Sequence, residues 1–199
     1  MLYDNEIYDN VILTDADGVL LNWEYAFNVW MQRHGYELIK DYHQHYEMDK
    51  RYGITSDHKR QLVRMFNESA AIGFLPPLRD AIHYVRKLHE EHGYVFHLIT
   101  SLSLDPAAQA LRTQNIKKLF GETAFERFVY LDTGADKDEA LKEYRGTNYW
   151  WIEDKPENAL AGAREGLECL LMEHSHNMHY TEYNLVKNWK EIYEEIVGV

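Results

Sequence analysis

The sequence feature that most constrains the fold of this chain is a series of short apolar runs, each followed by a carboxylate or hydroxyl side chain. The runs are rich in β-branched and aromatic residues and poor in charge, which is typical of strands buried on both faces of a sheet. They occupy residues 11–14, 94–99, 128–131, 149–152 and 167–172. Helical patterns lie near 78–92, 106–119, 137–145, 156–165 and 187–197. This alternation predicts an α/β fold with a parallel sheet and right-handed crossovers.

One segment interrupts the alternation. From Asn22 to Phe74 there is no convincing buried strand, but there are two amphipathic helical patterns. Their apolar faces are formed by Trp23, Phe27, Trp30, Met31 and His34, and by Leu62, Val63, Phe66 and Ala70. The paired prolines at 76 and 77 end the segment. We interpret it as a helical insert over the carboxyl edge of the sheet, which predicts a core of residues 1–21 and 76–199 and a cap of residues 22–75.

Composition narrows the functional classes. The 199 residues include 21 Lys plus Arg and 33 Asp plus Glu, a formal charge of −12, and such a surface repels polynucleotides and anionic lipid. The lone cysteine, Cys169, fits a reducing compartment. No stretch approaches the ~20 apolar residues of a membrane span, and no secretory signal is visible. These features predict a cytoplasmic protein with no membrane partner.

The strand ends bring chemically useful side chains together. Ligands of open α/β sheets bind at the carboxyl ends of the strands. The side chains expected there are Asp15, Asp17, Thr100, Ser101, Glu153 and Asp154. Two like charges 4 Å apart repel by roughly 4 kcal/mol at an effective dielectric of 20, so a cation is needed to keep four carboxylates ionised together. Oxygen ligands of this kind predict a Mg²⁺ site that shares its cation with a substrate phosphate.

The first of these clusters has a more specific pattern. Residues 11–20, an apolar strand followed by Asp15, Ala16, Asp17 and Gly18, resemble the first signature of the haloacid dehalogenase (HAD) superfamily. Asp15 at a strand tip is placed to attack phosphorus, and Asp17 to donate and accept protons. Gly18 permits the turn away from the site. The alternative is a β-turn that uses Asp and Gly for their turn propensity.

The other motifs of this superfamily follow in order. Thr100 resembles the hydroxyl that grips the transferring phosphoryl group, with Ser101 beside it, and Asp154 resembles the metal-binding aspartate. Lys137, chosen over Lys117 and Lys118, resembles the lysine that offsets the charge of phosphate and nucleophile, although a solvated surface lysine is the alternative. Glu153 and Asn158 depart from the usual pattern. The resemblance implies a Rossmann-like core and a metal held by Asp15, the Asp17 carbonyl and Asp154.

Within the superfamily, three segments resemble the 5'(3')-deoxyribonucleotidase branch. They are residues 21–27, 73–81 and 153–158. This resemblance implies a nucleoside or deoxynucleoside monophosphate as substrate. Trp23, Phe27 and Trp30 are then candidates for stacking on the base, an interaction worth ~1–3 kcal/mol in other proteins. Aromatic residues at helical spacing also form cap cores, and that alternative stays open.

Three histidines close to the C-terminus have a spacing found in metal sites. They are His174, His176 and His179. Because the chain has one cysteine and an oxygen-rich site is already present, we interpret them as solvated loop histidines and not as zinc ligands.

Together these features predict a Mg²⁺-dependent phosphomonoesterase that works through an aspartyl-phosphate on a small phosphorylated metabolite, with a nucleotide favoured by the resemblance. A phosphatase or phosphomutase for sugar phosphates would share every catalytic residue. A phosphatase for polynucleotide ends is disfavoured by the charge, and a non-catalytic binding module on the same fold is the alternative from another class. The sequence leaves open the base, the sugar, 5' versus 3' preference and whether the chain forms a homodimer.

Overall fold

The computed structural model describes residues 10–42, 45, 47–180 and 183–199. These residues form one sheet of six parallel strands in the order β3-β2-β1-β4-β5-β6. The strands are β1 (Val11–Thr14), β2 (Val95–Ser101), β3 (Phe125–Leu131), β4 (Trp150–Glu153), β5 (Glu168–Met172) and β6 (Leu185–Val186). The predicted parallel α/β sheet is confirmed. Strand β6 was not predicted, because two residues are too few to give a recognisable apolar run.

Helices alternate with the strands from β2 to β5, and a helix follows β6. The helices are α1 (Trp23–Arg33), α2 (Met48–Tyr52), α3 (Ser56–Asn67), α4 (Ala81–His92), α5 (Pro106–Phe120), α6 (Asp138–Leu141), α7 (Pro156–Arg164) and α8 (Trp189–Val197), with 3-10 turns at Ala70–Phe74 and Lys142–Tyr144. Proline at the first position fixes the start of α5 and α7, since its missing N–H costs nothing there. The side chain of Asn188 caps α8 by accepting the N–H of Glu191.

Strand β1 lies at the centre of the sheet and is buried on both faces. Its Ile12 packs into an apolar cluster that includes buried residues of α4, α5 and α8. Its Leu13 packs into a second cluster with Leu141 of α6 and Ala161 of α7. The alternation of side chains along the strand therefore places helices on both faces, giving three layers.

The segment between β1 and α4 contains α1, α2, α3 and a 3-10 turn, with no strand among the described residues of 22–75. Its two ends lie side by side. The Leu78 N–H donates to the Leu20 carbonyl at 2.8 Å, and the Asn22 N–H donates to the Pro76 carbonyl at 2.9 Å. The segment is thus a helical insert that leaves and rejoins the sheet layer at neighbouring points. Its division from the core as a separate domain stays a prediction.

The parallel strands direct their carboxyl ends to one edge of the sheet. Asp15 follows β1, Thr100 and Ser101 form the end of β2, and Glu153 ends β4. These positions are neighbours, because β1 pairs with both β2 and β4. None of the helices in the described residues is both long and apolar enough to cross a bilayer.

Candidate active site

Lys137 lies among the carboxylates that follow β1 and β4. Its Nζ is 2.9 Å from Asp15 Oδ1 and 2.8 Å from Glu153 Oε1, and the residue is only 2% exposed. Burial alone would lower the pKa of Lys137, but the charges of Asp15 and Glu153 raise it. Lys137 is therefore a buried cation shared by two carboxylates, and not a solvated surface lysine.

Glu153, which departs from the usual motif, is the anchor of this group. It is completely buried, and besides Lys137 it accepts hydrogen bonds from the Asn158 side chain and from the backbone N–H groups of Asp154 and Lys155. Burial opposes its ionisation, but Lys137 and these donors lower its pKa to about 2. Glu153 is thus a satisfied carboxylate that orients Lys137, and Asn158 is one of its donors.

Asp15 occupies the tip of the central strand. It is 6% exposed, and its Oδ1 accepts the N–H of Ala16 at 2.7 Å in addition to its contact with Lys137. Burial raises the pKa of Asp15 to about 6, against the opposing charge of Lys137 and with the help of Glu153 and Asp17. The lysine therefore only partly offsets the cost of holding this carboxylate ionised in the metal-free protein.

Asp154 packs against the turn that follows β1. A Cβ on Gly18 would lie 2.5 Å from Asp154 Oδ2, and the φ of Gly18 is +80°, so only glycine fits this position. Burial and the charges of Glu153 and Asp15 raise the pKa of Asp154 well above its usual value. Its Oδ1 is buried and has no hydrogen-bond partner among the residues the structure describes. An orphaned buried carboxylate oxygen of this kind calls for a cation.

The residues present fit a divalent metal ion. Asp15, Glu153 and Asp154 each place a carboxylate oxygen within 4.8 Å of the others. Because Glu153 is already saturated, Asp15 and Asp154 are the carboxylates left for a cation, and oxygen ligands of this type suit Mg²⁺. The expected cluster of four carboxylates is corrected to three, since the Asp17 side chain is directed elsewhere. The role left for Asp17 in metal binding is that of its backbone carbonyl.

The Asp17 carboxylate pairs with Arg112 of α5. Arg112 Nη1 lies 2.8 Å from Asp17 Oδ1, and Nη2 donates to Oδ2 at 3.3 Å. The arginine side chain is completely buried, whereas 21% of the Asp17 side chain is exposed. Sequence analysis missed Arg112, because a single arginine within a helix gives no signal of its position in the fold.

The two hydroxyls at the end of β2 have different surroundings. Thr100 is buried, and its Oγ1 has no hydrogen-bond partner within the described part of the chain. Ser101 Oγ donates to the Ala135 carbonyl at 2.7 Å, which ties the end of β2 to the loop before Lys137. Thr100 is therefore the hydroxyl with a hydrogen bond left to give a ligand, while Ser101 is used in holding the loop.

The aromatic residues expected to stack on a base lie in the apolar interior of the insert. Phe27 is 1% exposed, stacked on Trp23 with ring centroids 4.8 Å apart, and it meets the edge of Phe66. Trp30 is also buried and packs on Phe27. Trp23 is half-buried, and its Nε1 donates to Asn67 Oδ1 at 3.0 Å. This placement of Phe27 and Trp30 corrects the base-stacking interpretation in favour of the cap-core alternative, and leaves Trp23 as the most exposed of the three candidates.

The loop after β5 also reaches the site. His174 Nε2 donates to the Gly18 carbonyl at 2.6 Å, and His176 Nε2 donates to the Asp154 carbonyl at 3.0 Å. Asn177 Nδ2 donates to the same Asp154 carbonyl at 2.7 Å. Burial lowers the pKa of both histidines. Only the exposed His179 matches the expected solvated histidine, and the strand-end rule applied to β5 would have found the other two.

Fold and site together define a class: a parallel α/β protein whose strand ends hold a buried lysine among carboxylates. Solved structures that align with this chain include haloacid dehalogenase-like hydrolases. A haloacid dehalogenase-like hydrolase, SP0104 from Streptococcus pneumoniae, aligns with a TM-score of 0.65 and 14% identity over 94% of this chain and 98% of its own. CbbY from Rhodobacter sphaeroides, in complex with phosphate, aligns with a TM-score of 0.57 and 19% identity over 92% and 96%. CbbY in complex with xylulose-(1,5)bisphosphate also matches, with a TM-score of 0.56 and 17% identity over 92% and 95%.

The particular fold is that of the HAD superfamily hydrolases, as the resemblance of the motifs implies. No family model matches the chain. A curated relative, an uncharacterized 32.4 kDa protein in the Gp30-rIII intergenic region of Enterobacteria phage T4, is 28% identical over 138 residues, or 66% of this chain. The chain spans about half the length of that relative, since the match covers 48% of it.

Proposed function

We propose that this chain is a Mg²⁺-dependent phosphomonoesterase that works through an aspartyl-phosphate. The observation that carries the proposal is the contact of Lys137 with Asp15 beside the unpartnered Oδ1 of Asp154. A buried nucleophile, a fixed cation and an orphaned metal-binding oxygen at adjacent strand ends are what phosphoryl transfer needs, because it depends on positioning and on neutralising charge.

In the first half of the reaction an Asp15 oxygen attacks the substrate phosphorus. A new Asp15 O–P bond forms as the bond from phosphorus to the ester oxygen breaks. Asp17, two residues along, gives a proton to the departing oxygen, so that it leaves as an alcohol. Lys137 and Thr100 hold phosphoryl oxygens, using the lysine charge and the hydroxyl that has no partner in the described protein.

In the second half a water molecule attacks the phosphorus of the aspartyl-phosphate. Asp17, now ionised, takes a proton from this water, the Asp15 O–P bond breaks, and inorganic phosphate leaves. Asp15 is regenerated as a carboxylate and Asp17 as the acid. A bound Mg²⁺, held by Asp15, Asp154 and the Asp17 carbonyl, would neutralise phosphate charge during both halves.

The proposed substrate is a small phosphorylated metabolite. The motifs that resemble the deoxyribonucleotidase branch favour a nucleoside or deoxynucleoside monophosphate. Two observations favour a sugar phosphate as the second candidate: Phe27 and Trp30 offer no free ring face to a base, and CbbY has been crystallised with xylulose-(1,5)bisphosphate. Phosphomutase activity on such a sugar is part of this second candidate, because the same aspartyl-phosphate would serve it.

The experiment that tests the proposal is phosphate release from a panel of nucleoside monophosphates, deoxynucleoside monophosphates and sugar phosphates, with Mg²⁺ and with EDTA. We expect turnover that needs Mg²⁺ and falls by more than about 10³-fold in Asp15→Asn. The control is Asp57→Asn, the same chemical change at an exposed helical position. Turnover that survives Asp15→Asn, or none on the whole panel, contradicts the proposal, and the latter outcome favours a non-catalytic binding module.

The remaining parts of the hypothesis are partner and location. A cytoplasmic location is supported by the lone cysteine, and activity on polynucleotide ends is disfavoured by the charge of −12. Homodimer formation stays a prediction. Light scattering at several protein concentrations tests it, and rates that do not depend on strand length would count against action on polynucleotide ends.

A further inference from the structure

The pairing of Arg112 with Asp17 has no place in the mechanism above. Resting on the proposed function, we infer that Arg112 is a positioning residue that holds the Asp17 carboxylate where it exchanges protons with the leaving oxygen and the attacking water. Arg112 does not itself contact the reacting atoms in this assignment. It acts through Asp17, and both oxygens of that carboxylate face the arginine.

The sequence of α5 explains how an arginine reaches this position. Asp105 caps the helix by accepting the Ala107 N–H, and Pro106 starts it directly after the loop that follows β2. Ala108 and Ile116, one turn before and one turn after Arg112, are buried on the same face. The arginine therefore lies on the apolar side of α5 and meets Asp17 from within the protein.

The geometry is a two-pronged contact in which the Nη2–Oδ2 prong is a hydrogen bond and the Nη1–Oδ1 prong is an ion pair without hydrogen-bond alignment. Nη1 and Nη2 approach different oxygens of Asp17, at 2.8 Å and 3.3 Å. A planar guanidinium that faces both carboxylate oxygens fixes the rotation of the carboxylate as well as its position, which a lysine ammonium cannot do. Proton transfer requires such orientation, because the donor must lie within hydrogen-bond distance of the oxygen it serves.

The burial of Arg112 argues against a merely structural role for its ion pair with Asp17. A buried ion pair contributes little to stability compared with apolar residues of similar volume, because both charges must leave water. Arg112 is fully buried, and its Nε has no hydrogen-bond partner in the part of the chain that the structure describes. The pair is thus not part of a fully satisfied network, and its other member is the residue proposed to carry the proton.

The two halves of the reaction allow a sharp test. p-Nitrophenyl phosphate releases a stable phenolate, so its first half needs little help from an acid. Its second half still needs Asp17 as base. Loss of orientation at Asp17 should therefore leave the first half nearly intact and slow the second, which appears as a burst of p-nitrophenolate. With deoxythymidine 5'-monophosphate or ribose 5-phosphate, whose ester oxygens need a proton from Asp17 to leave as alcohols, both halves should slow.

The variants are Arg112→Met, which keeps the length and removes the charge, and Arg112→Lys, which keeps the charge and removes the two-pronged contact. We expect Arg112→Met to show a burst near one p-nitrophenolate per site, followed by a steady rate about 10²-fold below the unmodified chain. Arg112→Lys should give a burst with a smaller loss, about 10-fold, and keeps the test valid if Arg112→Met fails to fold. Arg86→Met, in the exposed part of α4, is the control.

A double-mutant cycle separates positioning from structure. If Arg112 acts through Asp17, Arg112→Met should cost nothing further in an Asp17→Asn background. An equal loss in both backgrounds, equal slowing of both halves, or unchanged rates in both Arg112 variants overturns this inference and leaves the phosphatase standing. No turnover by the unmodified chain on any of these substrates overturns the proposed function and this assignment with it.

Discussion

Two buried cations lie at the same edge of the sheet, and their surroundings differ. Lys137 contacts Asp15 and Glu153, and Asp154 completes the group, so one ammonium faces three carboxylates. Within residues 10–42, 45, 47–180 and 183–199, Arg112 has one ion-pair partner, Asp17, so that pair is neutral in total. We call these the lysine group and the arginine pair.

This difference indicates that the lysine group is suited to bind a cation, whereas the arginine pair is suited to orient a carboxylate. In the lysine group, burial raises the pKa of Asp15 to about 6 and raises the pKa of Asp154 well above its usual value, because one lysine cannot offset the burial of three carboxylates. Such a group gains free energy from a further cation. The arginine pair has no such surplus, and what it supplies is a fixed carboxylate orientation.

The largest expected effect is on the lysine group. Lys137→Met should reduce turnover by about 10³-fold, because it removes a fixed charge that holds the phosphoryl group. It should also lower the free energy of unfolding by about 3 kcal/mol, since Asp15 and Glu153 lose their buried counter-charge. Steady-state rates and urea unfolding measure the two effects. Lys142→Met, which removes an exposed ion pair with Glu139, is the control. An equal effect of Lys142→Met would contradict the special role assigned to Lys137.

The second prediction concerns metal binding without catalysis. Mg²⁺ should raise the melting temperature of the unmodified chain, with a stabilisation of about 2.7 kcal/mol at 100 times the dissociation constant. Asp154→Asn should lose most of this shift, because the orphaned Oδ1 belongs to that residue. Glu157→Gln, an exposed carboxylate on the first turn of α7, should keep it. Differential scanning fluorimetry with and without Mg²⁺ measures this shift in melting temperature. An unchanged shift in Asp154→Asn would refute the proposed metal site.

The third prediction compares two equal substitutions. Asp17→Asn should lower the free energy of unfolding by about 2 kcal/mol, because it leaves the buried Arg112 guanidinium without a counter-charge. Asp15→Asn in EDTA should be neutral or stabilising, because it removes one of the surplus negative charges. Urea unfolding of both variants at pH 7 measures the difference. Equal destabilisation would show that the two regions do not differ in charge balance.

The smallest expected effect, taken per pH unit, is the slope of the free energy of unfolding against pH. A carboxyl whose folded pKa lies above its unfolded value binds a proton more tightly in the folded state, so its contribution to stability is present at low pH and is lost as pH rises. In EDTA, the pKa of about 6 for Asp15 predicts falling stability from about pH 4 to pH 6, with a slope no steeper than about 1.4 kcal/mol per pH unit for this group.

Asp15→Asn should flatten this slope, while Arg112→Lys should leave it unchanged because it keeps the positive charge beside Asp17. Urea midpoints across this pH range, measured in EDTA, make the comparison. A slope that is the same in Asp15→Asn as in the unmodified chain would contradict the assignment of the surplus charge to this group.

Much of the site follows from one property of parallel sheets. Asp15, Thr100 and Asp154 could be placed together from sequence, because each follows or ends an apolar run and parallel strands end at one edge. Lys137 needed the motif resemblance as well, since a lysine at the start of a helix has no signature of its own. The succession of elements along the chain and the bounds of α5, α7 and α8 agree with the predicted alternation.

Other features depend on packing that periodicity does not encode. Phe27 and Trp30 repeat at helical spacing, and the same spacing describes a cap core and a ligand-binding face. Arg112 is one arginine in a helix of 15 residues, and only the tertiary structure shows that its side chain is buried against Asp17. Strand β6 is defined by its pairing with β5, and its two residues alone give no sequence pattern that would predict a strand.

The neighbouring ends of the helical insert have a consequence for how such a chain can change over evolutionary time. Backbone hydrogen bonds from Leu78 to Leu20 and from Asn22 to Pro76 join the two ends of the insert. The core on either side of the insert is therefore held together without the helices of the insert. Lengthening or replacing the helices between these points adds little loop-closure entropy and leaves Asp15 and its neighbours in place. The sequence of the insert can therefore diverge while the residues at the carboxyl edge of the sheet keep their positions.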